Sequence, residues 1–102
     1  MKACVLLLAS ALAVLPGWAQ AQVMDALQVR SMAASCAACH GPQGMTQLGF
    51  VPLAGARQDA LLKKMLDFKT GSQPATLMHQ IAKGYTDEQL AALAAYFSAL
   101  KK

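Results

Sequence analysis

The chain opens on an almost unbroken apolar run, Ala3 to Leu15, introduced by the cation Lys2 and interrupted by Pro16-Gly17. Ala19-Gln20-Ala21 then has the small-x-small spacing at which a secretory signal peptide is cut. The run is shorter than the roughly 20 apolar residues that a bilayer-spanning helix needs. Residues 1–21 are expected to be a cleaved signal peptide, with a retained anchor as the alternative. Residues 22–102 then form one small domain with no permanent membrane span, exported to the periplasm. Cys4 lies within the apolar run and would leave with the signal.

Beyond that run the apolar positions follow the rhythm of helices. Asp25 to Cys39 reads as the first, with Asp25 in the first turn where a negative charge suits the helix dipole. Its stripes are narrow: Leu27, Ser31 and Ala34 form one, Val29 and Met32 another. The small residues would let a second helix approach near Ser31. Gln58 to Lys69 is a clearer amphipathic helix. Leu61, Met65 and Phe68 recur along one face, flanked by Leu62 and Leu66, while Lys63, Lys64, Asp67 and Lys69 face outward. Gly71 is placed to end it, and Met65 belongs to its core stripe. Leu77 to Lys83 predicts a short helix closed by Gly84. Thr86-Asp87-Glu88-Gln89 is a capping box that starts the last helix. Leu90, Leu93, Ala94, Phe97 and Leu100 form the buried face of that helix, with Leu93 and Tyr96 expected against the first helix.

Composition changes this picture little. The 56% hydrophobic content is inflated by the opening run. The formal net charge of +4 comes from basic residues scattered along the chain, which is no nucleic-acid footprint. Size matters more. A domain this small has a marginal core and ordinarily needs a disulfide, a metal or a cofactor to hold it.

Cys36-Ala37-Ala38-Cys39-His40 supplies the candidate staple. Two cysteines two residues apart, followed at once by histidine, are the attachment signature of a c-type haem. Three apart on a helix, the thiols face one side. Each adds to one vinyl group, and His40 falls under the iron as proximal ligand. A thioredoxin-like site would need a preceding strand, and none is legible. A zinc site needs further ligands, and only His79 remains as a spare Cys or His. Gly41-Pro42 stops the helix.

Gly41 to Ala56 is rich in Gly and Pro and reads as an ordered loop. A proximal histidine ordinarily donates its other ring N–H to a carbonyl. The carbonyl of Pro52 is expected to take this proton, with Leu53 packing on the haem; the alternative is a plain loop proline. For the sixth iron position Met78 has the reach and stands at a loop–helix junction. Met24 and Met32 precede the motif on its own helix, and Met45 follows it too closely. A thioether favours ferrous iron and raises the potential. His79 or an open position are the alternatives. Adjacent helical residues point about 100° apart, so only one of Met78 and His79 faces the iron.

These residues together resemble a class I c-type cytochrome. The resemblance rests on Cys36-Ala37-Ala38-Cys39-His40-Gly41, Pro52-Leu53-Ala54-Gly55, Met78 and Leu93-Ala94-Ala95-Tyr96-Phe97. It implies an all-α class I cytochrome c fold, with three main helices, a short helix and loops wrapped around one covalent haem c. It also implies His40 and Met78 as axial ligands, and single-electron transfer by a carrier that is not itself an enzyme. Met78-His79-Gln80-Ile81-Ala82-Lys83-Gly84-Tyr85-Thr86-Asp87-Glu88 is similar to the haem subunits of flavocytochrome c sulfide dehydrogenases. So are Leu53-Ala54-Gly55 and Phe68-Lys69-Thr70-Gly71. This second likeness implies a redox partner, a flavoprotein that oxidises sulfide. Some members of that wider group carry two haems on a longer chain, whereas here there is one attachment motif. A freely diffusing shuttle between a membrane complex and an oxidase or reductase is the alternative. A third class, a haem sensor or peroxidase-like protein, requires an open sixth position.

Overall fold

A computed structural model describes residues 23–45 and 49–102. The expected signal peptide and its cleavage site therefore lie outside the described residues. Among the described residues all regular structure is helical: α1 (Ala26–His40), a 3-10 turn (Pro42–Gly44), α2 (Gln58–Thr70), α3 (Met78–Lys83) and α4 (Asp87–Ala99). Three main helices and one short helix match the fold expected from the sequence.

Local chemistry sets the ends of these helices. Asp25 is the N-cap of α1, one residue ahead of the first turn in which the sequence places it, and its carboxylate still meets the positive end of the helix dipole there. Its carboxylate accepts the Gln28 N–H at 2.7 Å, while the Gln28 side chain accepts the Asp25 N–H at 3.2 Å. A carboxylate one residue before the helix satisfies an orphan N–H directly, which explains the shift. Thr86 and Gln89 form the same reciprocal pair ahead of α4, at 3.2 and 2.9 Å. Gly71 ends α2 in the left-handed region, its N–H donated to the Phe68 carbonyl.

The core has two halves. In one, Ala33, Leu93 and Phe97 are buried, with Met32, Cys36, Leu53, Tyr96 and Leu100 packed around them. In the other, Met65, Ala82 and Leu90 are buried, joined by Leu62, Leu66, Phe68 and Met78. Leu61 and Tyr85 touch both halves. α4 runs through both, and its buried face is Leu90, Leu93, Ala94 and Phe97 as the sequence predicts.

One stripe differs from expectation. The packed residues of α1 are Met32, Ala33 and Cys36, whereas Leu27, Ser31 and Ala34 are exposed. The approach of α4 is made at Ala33, where a methyl group leaves room for Leu93 and Phe97. The Ser31 hydroxyl instead donates to the Leu27 carbonyl at 2.9 Å on the outer face, a bond that helical serine makes when it has no tertiary partner.

Two polar bridges tie the halves together. The Ser35 and Tyr85 hydroxyls lie 3.0 Å apart, joining α1 to the α3–α4 connection. Lys69, near the end of α2, donates to the Tyr85 carbonyl at 2.8 Å and to Asp87 at 2.7 Å.

Candidate haem site

The site is built on the last turn of α1. Cys36 and Cys39 are free thiols, each half-buried, and their spacing puts them on one side of the helix. Burial pushes the Cys36 thiol above its usual range, against the opposing effect of a Ser35 hydrogen bond.

His40 is the final residue of α1, and its orientation is decided outside the helix. Its Nδ1 lies 2.7 Å from the carbonyl oxygen of Val51. A carbonyl can only accept, so Nδ1 carries the proton and Nε2 keeps its lone pair for a metal. The Phe50 ring packs edge-on against the imidazole, centroids 5.8 Å apart at 64°.

The acceptor corrects the expectation placed on Pro52. The carbonyl that meets His40 belongs to Val51, one residue earlier, and Pro52 itself is exposed. The register is set downstream. The N–H groups of Leu53 and Ala54 both donate to the Gly44 carbonyl, at 2.9 and 3.1 Å, and the Gly55 N–H donates to Phe97 at 2.9 Å. With residues 53–55 pinned in this way, the Val51–Pro52 peptide is the one that faces the ring. Leu53 is half-buried and packs on the Ala33–Leu93–Phe97 half of the core.

Met78 stands in the other half. It is the first residue of α3, half-buried, and packs against Met65, Ala82 and Leu90. The next residue, His79, has its Nδ1 buried without a hydrogen-bond partner. The structure thus places Cys36, Cys39 and His40 on one helix end, tied to residues 50–54 by a hydrogen bond. Met78 belongs to a separately packed segment, connected to the first through Tyr85 and Leu61.

The residues present fit a covalent haem. Two half-buried thiols share a helix face, and the imidazole following them uses only Nδ1 for a hydrogen bond among the described residues. Large apolar side chains stand exposed on both segments: Met45, Phe50 and Val51 around His40, Leu77 and Ile81 around Met78. A flat apolar macrocycle gives such side chains something to pack against.

Residues 29–101 match the cytochrome c family. The chain belongs to that family. Its members carry covalently attached haem c, and Cys36 and Cys39 supply the attachment motif of this cytochrome. Among similar proteins, the cytochrome subunit of sulfide dehydrogenase from Chlorobaculum tepidum is 38% identical over 67% of this chain and 62% of its own length. Cytochrome c4 from Azotobacter vinelandii is 38% identical over 76% of this chain and 41% of its own. Cytochrome c-553 from Helicobacter pylori is 38% identical over 79% of this chain and 86% of its own. A solved cytochrome c4 structure from Acidithiobacillus ferrooxidans superposes with a TM-score of 0.63 at 39% identity, covering 65% of this chain and 38% of that one. The chain thus spans between two fifths and two thirds of the sulfide dehydrogenase subunit and cytochrome c4 relatives it matches. The fold is that of a class I cytochrome c.

Sequence reasoning missed three parts of the site: the Val51 acceptor, the Phe50 ring and the Ser35–Tyr85 bridge. The Val51-Pro52 step was a usable signal, because proline biases the residue before it toward extended backbone. Phe50 and Ser35 carried none, since one lies in a loop of no periodicity and the other faces out in the helical pattern.

Proposed function

We propose that this cytochrome holds one haem c through thioethers to Cys36 and Cys39, with His40 Nε2 and the Met78 sulfur as axial ligands. We further propose that it works in the periplasm, after removal of residues 1–21, as the electron-accepting partner of a sulfide-oxidising flavoprotein. The haem supplies one-electron Fe(II)/Fe(III) exchange. The chain's own residues do the rest. Val51 holds the His40 proton on Nδ1, so that Nε2 stays a donor throughout. Met78, as a soft ligand, favours the ferrous form and so draws electrons from the partner. Leu53 and the two core halves keep water from the buried side of the site.

The observation that carries the partner reading is the similarity to a protein named as the cytochrome subunit of sulfide dehydrogenase, 38% identical over 67% of this chain. A second reading, electron acceptor to a different sulfur-oxidising enzyme or a free shuttle, is favoured by the relatives named as thiosulfate dehydrogenase electron acceptors.

The test is reduction of the haem-loaded protein by sulfide in its native periplasmic extract, with the associated proteins isolated alongside. A stoichiometric flavoprotein whose removal abolishes sulfide-dependent reduction supports the first reading. Reduction by thiosulfate, with no flavoprotein retained, supports the second. Ready binding of carbon monoxide to the ferrous protein overturns the Met78 assignment and favours a sensor.

A further inference from the structure

Gly44 meets the haem motif through the Gly41 carbonyl, which accepts its N–H at 3.0 Å, and it sits where three segments converge. It closes the 3-10 turn after α1, is buried, and adopts φ +72°. Its carbonyl accepts both the Leu53 and the Ala54 N–H. A Cβ added there would lie 2.8 Å from Phe97 Cδ1, 3.0 Å from the Ala54 nitrogen and 3.0 Å from Leu53 Cβ. Two of those neighbours belong to the segment whose Val51 carbonyl accepts the His40 proton. The third is a buried aromatic ring of α4, which cannot give way easily.

We propose that Gly44 is a positioning residue that sets the strength of the His40–Val51 hydrogen bond, and through it the electron-donating power of the proximal ligand. This rests on His40 ligating the haem iron. Without a Cβ, residues 53 and 54 reach the Gly44 carbonyl closely, which draws Val51 to 2.7 Å from Nδ1. A side chain at this position has rigid neighbours on both sides: the Phe97 ring holds α4, so the segment carrying Val51 is the part displaced. A longer bond at Nδ1 makes the imidazole a poorer donor at Nε2, which weakens stabilisation of ferric iron. The equilibrium then moves toward the ferrous form.

Gly71 gives the control. It also has a positive φ, +84°, but a Cβ there would meet nothing within 4 Å. Gly71→Ala therefore carries the same kind of backbone strain without the close approach.

The experiment compares haem-loaded wild-type protein, Gly44→Ala and Gly71→Ala by redox titration and by proton NMR of the His40 Nδ1–H exchange rate. Gly44→Ala is expected to shift the ferrous/ferric ratio at a fixed potential roughly fivefold toward ferrous, the size of one ordinary hydrogen bond, with faster Nδ1–H exchange. Gly71→Ala is expected to match wild type in both, whatever its loss of stability. If Gly44→Ala accumulates too little holoprotein, Gly44→Ala with Phe97→Leu makes room for the Cβ, and both readouts are expected between wild type and none of the hydrogen bond. The proposal is overturned if both glycine variants move the potential equally, or if the Gly44 variant that folds keeps wild-type potential and exchange. A wild-type protein whose spectrum lacks a histidine ligand would instead overturn the ligand assignment itself, a separate failure.

Discussion

Around His40 the chain is held by directed hydrogen bonds, whereas around Met78 it is held by packing. On the first side, the Nδ1 proton, the Leu53 and Ala54 N–H groups and the Gly55 N–H each have a stated acceptor within 3.1 Å. On the second side, Met78 leans on Met65, Ala82 and Leu90, and the Nδ1 of the following His79 is buried with no hydrogen-bond partner among the described residues. Directed bonds specify orientation, because they weaken steeply with angle. Packing specifies volume and tolerates substitution by anything of similar size. An imidazole must present one nitrogen at one angle, whereas a thioether on three flexible bonds adapts to its pocket.

This contrast can be broken most severely at the two proposed ligands, His40 and Met78. His40→Ala is expected to lower the haem content of the accumulated protein on the order of tenfold or more, measured from the absorbance of the alkaline pyridine adduct. Met78→Ala is expected to retain the covalent haem, while losing the weak ferric band at long wavelength and gaining carbon monoxide binding. Equal haem loss in both variants would erase the distinction between an orienting side and an adaptable one.

The next effect is on stability. Leu90 is fully buried in the Met78 half of the core, and Leu90→Ala is expected to cost about 2–5 kcal/mol by denaturant unfolding. Because packing places Met78, the same variant is expected to weaken the long-wavelength ferric band and leave His40 Nδ1–H exchange at its wild-type rate. A change in the exchange rate with the band intact would show that the halves are wired the other way.

Lys69 tests the seam between them. Its ammonium, partly buried, joins the Tyr85 carbonyl to Asp87. Lys69→Met keeps the stem and removes the charge, and is expected to cost about 1–2 kcal/mol, mostly from the carbonyl left without its donor. Thermal unfolding followed at the haem band and by far-ultraviolet dichroism should show both transitions falling together.

The smallest effect is acid sensitivity. Asp67 is held below the ordinary carboxylate range chiefly by its hydrogen bond from Lys63, and that side of α2 is open to solvent. A carboxylate lowered in the folded state stabilises it above the unfolded value, about 3.9, and this contribution is lost as pH falls through the folded value. Asp67→Asn is expected to flatten slightly the acid limb of stability against pH below about 4 and to lower neutral stability by the same small amount, so that the two proteins converge in acid. A steeper limb in the variant would contradict it.

Much of this protein was legible along the chain because its determinants are local. The haem motif reads directly, since thioether geometry demands two cysteines one helical turn apart and a histidine next to them. Both capping boxes, the Gly71 stop and the Leu90–Phe97 face lie within a few residues of what they control. What tertiary structure alone decided involves partners distant in sequence. Which face of α1 packs depended on where Leu93 and Phe97 arrive, and they arrive at Ala33, not beside Ser31. Which carbonyl meets His40 depended on where Gly44 and Phe97 pin residues 53–55, and the answer moved by one peptide from Pro52 to Val51. A residue's type states what bond it can make, but the register in which a loop returns to a helix is fixed by the contacts at the loop's far end.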